Sequence, residues 1–141
     1  MRMKVKKLHP DAKLPSYAHD GDAGMDIFSL ESCTLKPGER KMIRTGISYE
    51  LEPGFVSLIW DKSGLAAKHG LKTMGGVIEH NYRGELRIIL LNTSGEEFKI
   101  EKGDKIAQML IQPVTTAKIE EANELSDTNR GAGAFGSTGK K

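Results

Sequence analysis

Lys62, Ser63 and Gly64 are consecutive, and together they offer a cation, a hydroxyl and an unhindered backbone N–H where a helix begins. The orphan amides and the dipole of a helix N-terminus favour an anion, so the triplet reads as a phosphate cradle or as a plain capped helix with a solvated lysine. Carboxylates form a second group. Asp22 and Asp26 flank Ala23-Gly24-Met25, and Glu79 stands with His80 and Asn81 between an apolar approach and Tyr82. A carboxylate at a strand end can hold Mg²⁺ through water or activate water, although most such groups are solvated surface. In the tail, Arg130, Phe135, Gly136, Ser137 and Thr138 lie on a glycine-rich strip. Folded over a ligand, it would set a ring on a base and offer hydroxyls and a guanidinium to phosphate. Residues 131–136 also match G-x-G-x-x-G, but a dinucleotide fingerprint must open a helix and only five residues follow Gly136. His9, His19, His69 and His80 lack paired ligand spacing, which argues against zinc, and no Gly-x-Ser-x-Gly elbow supports a serine hydrolase.

The elements that must position these groups follow a period of two. In residues 43–51, Ile43, Thr45, Ile47, Tyr49 and Leu51 alternate with Arg44, Gly46, Ser48 and Glu50, as in one strand with one face buried. Residues 55–60 and 86–91 are short, aliphatic and bounded by turn residues, which favours core strands. The exception is 63–70, read as a two-turn helix with Ser63 as its cap and Gly70 as its stop. The fold class is therefore all-β, a sandwich or barrel with one short helix. Residues 1–125 form the barrel domain, and residues 126–141, with Phe135 as the one large apolar side chain, form a mobile arm unable to bury itself.

The 141 residues suit one domain, and 21 basic against 19 acidic side chains leave a net charge of +2, which implies no nucleic-acid partner. The longest apolar run, residues 88–91, is far short of the roughly 20 residues that cross a bilayer, so no membrane is implied. The basic start lacks the apolar core of a secretory signal, and the single cysteine, Cys33, forms no intrachain disulfide. Both point to the cytoplasm.

Five stretches in this order resemble the motifs of the homotrimeric dUTP pyrophosphatase (dUTPase) family. They are Asp22-Ala23-Gly24-Met25-Asp26; Asp61-Lys62-Ser63-Gly64-Leu65-Ala66; residues 76–84, from Gly76-Val77-Ile78-Glu79 to Tyr82-Arg83-Gly84; Gly103-Asp104-Lys105-Ile106-Ala107-Gln108; and residues 130–139. The resemblance implies a jelly-roll-like β subunit in a homotrimer, with active sites at subunit interfaces and each arm closing over a neighbouring site. It implies hydrolysis of dUTP to dUMP and pyrophosphate by water attack on the α-phosphorus, with Mg²⁺ across the triphosphate; this would limit uracil in DNA and supply dUMP. On that pattern Ser63 and Gly64 would hold phosphate oxygens beside Lys62, Gln108 would sit near the α-phosphate, and Asp26 would position the hydrated metal through water. Glu79 would be the general base. Gly76, Val77 and Ile78 would read uracil through backbone groups, with Tyr82 under the deoxyribose and Arg87 bordering the pocket. Arg130, Phe135, Gly136, Ser137 and Thr138 would close the lid.

Four positions depart from that pattern. Glu79 stands where the family has an aspartate and Lys62 where it has an arginine; Asn81 replaces a second acid, and Ala134 a lid glycine. One extra methylene moves a carboxylate by on the order of 1 Å. Two alternatives stay open: a dCTP deaminase-like enzyme on the same fold, and a catalytically weakened dUTP-binding or regulatory protein.

Overall fold

The computed structural model describes residues 1–140. Eleven strands and one helix follow in order: β1 (Lys4–Lys7), β2 (Gly24–Phe28), β3 (Cys33–Leu35), β4 (Arg40–Arg44), β5 (Ile47–Glu50), β6 (Phe55–Trp60), α1 (Ser63–His69), β7 (Leu71–Met74), β8 (Val77–Glu79), β9 (Arg87–Asn92), β10 (Phe98–Ile100) and β11 (Lys105–Pro113). They form a four-stranded sheet, β2-β11-β6-β8, a three-stranded sheet, β4-β9-β7, and the pairs β1-β5 and β10-β3. Every pairing is antiparallel, and most join strands distant in sequence, as in a jelly roll.

The inward positions of residues 43–51 are buried, but the alternation is incomplete, because Gly46 and Ser48 between them are buried as well. Ile43, Thr45, Ile47, Tyr49 and Leu51 are all at most 5% exposed. In pairing, too, the expectation of one strand fails, because this stretch is two strands. Gly46 has φ 71°, which a side-chain-bearing residue adopts only with strain, and the break sends β4 to β9 and β5 to β1. Ile27, Leu35, Ile88, Ile100 and Met109 complete a core between the sheets.

The helix stands as expected and its cap does not. Lys62 is the N-cap residue, with extended backbone (φ −79°, ψ 122°) and no side-chain cap bond, so Ser63 is the first helical residue. Gly70 closes the helix in the left-handed conformation, φ 64°. No residue of α1 is buried, so seven residues that would not be helical alone are held by their ends and by β7.

Among the described residues, the last hydrogen bond between the C-terminal segment and the barrel is Val114 N–H donating to the Gly54 carbonyl at 2.9 Å. Residues 114–125 are already exposed, so the chain leaves the barrel at the end of β11 and not at 126. No described helix is long and apolar enough to cross a membrane.

Candidate active site

The first group of candidate residues is built on one row of the four-stranded sheet. Gln108 on β11 faces Asp26 on β2 and Trp60 at the end of β6, so the three side chains leave the same face. Beyond Trp60, Asp61 fixes the turn into the helix. Its carboxylate accepts the Thr73 N–H and hydroxyl, both at 2.6 Å, and the Lys72 ammonium at 2.8 Å. Its carbonyl accepts the Gln108 side-chain N–H at 2.8 Å. Gln108 can lie flat over β2 only because residue 24 is glycine: a Cβ there would stand 2.6 Å from Gln108 Oε1. Gly24→Ala is therefore expected to displace the carboxamide and lower kcat about 10²-fold with little loss of stability, measured by steady-state kinetics beside a thermal melt.

With Lys62 as an uncapped N-cap, the Ser63 hydroxyl and the first-turn N–H groups of α1 point out without a side-chain acceptor from the cap. Lys62 turns back to Asp26 instead. Asp26 is buried, and its two oxygens are held separately, Oδ1 by Lys62 Nζ at 2.5 Å and Oδ2 by Lys105 Nζ at 2.7 Å. Burial pushes the Asp26 carboxyl upward, but hydrogen bonds from Lys105 and Lys62 and their charges outweigh it, so it lies below the ordinary carboxylate range. Asp61 is lowered for the same balance of reasons: burial raises it, and Lys72 and Thr73 more than compensate. Folded values below the unfolded 3.8 mean that both carboxylates stabilise the fold above about pH 4 and lose that contribution as pH falls through their native values. Thermal melts are thus expected to drop steeply below about pH 4, and Asp61→Asn should flatten that acid limb.

The second group lies on β8 and on the turn that follows it, where the Tyr82 N–H donates to the Glu79 carbonyl at 3.1 Å; the stretch is a single strand paired with β6. A cavity of about 330 Å³ gathers Val77, Ile78, Glu79, Tyr82 and Arg87, all expected from sequence, together with Met42 and Glu85, which were not. A second cavity of about 260 Å³ on the other side of Val77 is lined by Gly76, Thr73 and Trp60. Gly76 has φ 99°, and a Cβ there would lie 2.9 Å from the Ile59 carbonyl, so β8 reaches β6 this closely only with glycine. Glu79 is exposed at the end of β8. Tyr82 is fixed by its hydroxyl, which donates to the Glu85 carbonyl at 3.1 Å. The Glu85 carboxylate, 11% exposed, accepts from Arg44 Nε at 3.1 Å and Gly46 N–H at 2.9 Å, and lies 3.5 Å from Arg87 Nε. Glu85 therefore orients Arg87 at the cavity edge, and Lys105 does the comparable work for Asp26. Only cross-strand register could have revealed either.

One chain does not bring the two groups together. No residue of the cradle lines the 330 Å³ cavity. Glu79 pairs with Val56, four positions along β6 from Trp60, a separation of about 13 Å along the strand. Among the described residues, the arm makes no hydrogen bond to either group. Phe135 is fully exposed with φ 51°, and the arm's hydrogen bonds are local turns such as Arg130 Nε to the Gly133 carbonyl at 2.8 Å. Gly136, Ser137 and Thr138 are equally exposed.

Comparison with known proteins gives the same reading from sequence and from fold. The chain is 52% identical to a deoxyuridine 5'-triphosphate nucleotidohydrolase of Clostridium novyi over 141 residues, 99% of each chain. It is 49% identical to one of Nautilia profundicola, covering 99% of this chain and 100% of that one. The dUTPase of Staphylococcus bacteriophage 80alpha, solved with dUPNHPP, superposes with a TM-score of 0.93 at 31% identity and 98% coverage of both chains. A mutant dUTPase of the S. aureus phage phi11, whose structure describes coordination of a structural Mg(II) ion, superposes at 0.83 with 29% identity, covering 90% of this chain and 100% of that one. The dUTPase family model matches residues 10–139, which takes in the first turn of α1, the strand β8 and the arm at once, and the chain belongs to the dUTPase family.

Proposed function

We propose that the protein is a dUTP diphosphatase that hydrolyses dUTP to dUMP and pyrophosphate, with Glu79 as the base that draws the proton from the attacking water. The observation that carries this reading is the uncapped first turn of α1 at the end of the row holding Gln108 and Asp26. Amides and a hydroxyl preorganised at a helix start meet negative charge as it develops on phosphate oxygens, with no reorganisation at the moment of reaction. Water adds to the α-phosphorus as its bond to the bridging oxygen breaks. The proton passes to Glu79, and pyrophosphate leaves against the Ser63 and Gly64 amides and Lys62. Gln108, anchored on the Asp61 carbonyl, meets the α-phosphate. Gly76, Val77 and Ile78 contact the base and Tyr82 lies under the sugar, where a 2′-hydroxyl would clash.

The residues fit a metal carried by the substrate. Asp26 brings a single carboxylate to the cradle, with one oxygen on the half-exposed Lys105, which suits contact through a metal-bound water and not a protein cage. Mg²⁺ bound with the substrate would supply charge neutralisation there. The separation of the cradle from β8 within one chain, and an arm that makes no hydrogen bond to either among the described residues, support a homotrimer in which neighbouring copies complete each site. The arm residues Arg130, Phe135, Gly136, Ser137 and Thr138 then close a neighbour's site over base and phosphates. A cytoplasmic location suits the single cysteine, Cys33.

The test is an assay of the purified protein with Mg²⁺ against dUTP, dCTP, dTTP and UTP, following pyrophosphate and ammonia together. Pyrophosphate from dUTP alone is the expected result. Ammonia from dCTP would establish the deaminase reading, and binding without either product would establish a regulatory one.

A further inference from the structure

The strand that carries Glu79, β8, rests on a buried pair of hydroxyls. Tyr49 on β5 is 5% exposed and Ser57 on β6 is fully buried, and the two belong to different sheets. Their hydroxyl oxygens are 2.5 Å apart, and the Ser57 hydroxyl donates to the Ile78 carbonyl at 3.2 Å, so the Tyr49 O–H must donate to Ser57. Ile78 is the register partner of Ser57 and lines the 330 Å³ cavity immediately before Glu79. β8 has three residues, pairs with β6 alone, and is preceded by Gly75 and Gly76, both at positive φ. Such a strand has few interactions to fix its height over the core.

Resting on the reading that this cavity takes the deoxyuridine, we infer that Tyr49 and Ser57 are positioning residues that set selectivity for the nucleoside by tying the Ile78 carbonyl to the opposite sheet. Backbone groups discriminate between bases only while they stay in place, and a single methyl group in a close-fitting pocket is worth about 10-fold to 200-fold. If the tie loosens, β8 can rise and admit the 5-methyl of thymine. Burial pushes the Tyr49 phenol up to about 12, so the relay keeps its protons across the neutral range.

Tyr49→Phe removes one hydroxyl and preserves ring volume. It is expected to lower the ratio of kcat/KM for dUTP over dTTP about tenfold, mainly through KM, and to raise amide exchange across residues 76–82. Inhibition by inorganic tripolyphosphate, which meets only the cradle, is expected to stay unchanged. Ser57→Ala leaves the Tyr49 hydroxyl buried without an acceptor and should cost stability as well as selectivity. Adding Tyr49→Phe to Ser57→Ala should restore stability and leave selectivity low. Recovery of both together, or an unchanged ratio with unchanged exchange in Tyr49→Phe, would overturn the inference. A wild-type protein that bound dUTP without turnover would contradict the functional reading instead, and the exchange experiment would still decide the relay.

Discussion

Glu79→Gln is expected to abolish turnover of dUTP while leaving its binding largely intact. The substitution keeps length and shape and removes only the ability to take a proton. A positioned general base contributes about 10²-fold to 10⁴-fold, so kcat should fall into that range or below detection. Among the described residues the Glu79 carboxylate makes no ion pair or hydrogen bond, and it stands exposed at the lip of the 330 Å³ cavity. Its loss therefore strands no buried partner, and the melting temperature should not move. Calorimetric titration with dUTP beside single-turnover kinetics separates the two effects. Turnover retained within tenfold of wild type would remove Glu79 from the base's role and would direct attention to the cradle alone.

Deleting residues from Arg130 onward is expected to leave a folded, assembled protein with kcat/KM lowered by about 10²-fold or more. The barrel loses nothing by the deletion, since the last hydrogen bond between it and the C-terminal segment is made at Val114. What is lost is closure: Phe135, Arg130, Ser137 and Thr138 would exclude water and complete the charge around the triphosphate. Thermal melts and sedimentation of the truncated protein should match the full chain while steady-state rates collapse. A truncated protein at full rate would remove the arm from the site.

The barrel could be read from the chain wherever burial follows a period of two. Ile43, Ile47 and Leu51 announce an inward face without reference to any partner strand. Gly46 does not announce that the pairing changes there, because β9 and β1, the strands on either side of the break, lie far away in sequence. The helix was legible from its formers and from Gly70. Its cap was not, because a serine beside a glycine serves equally as cap or as first helical residue, and the backbone of Lys62 settles the matter. The site divides in the same way. Ser63, Glu79, Tyr82 and Gln108 carry their chemistry in their types and local neighbours. Lys105, Glu85, Tyr49 and Ser57 act through register across strands, and in the chain they look like an ordinary surface cation, an ordinary acid and two ordinary strand residues.

The most direct test of the central claim is hydrolysis of dUTP in water enriched in ¹⁸O, with both products analysed by mass. Attack by water on the α-phosphorus, prompted by Glu79 and followed by departure of pyrophosphate, places the label in dUMP and leaves pyrophosphate unlabelled. Label in pyrophosphate, with dUMP unlabelled, would mean that the bond cleaved lies on the other side of the bridging oxygen, and the account of cradle and base would be wrong.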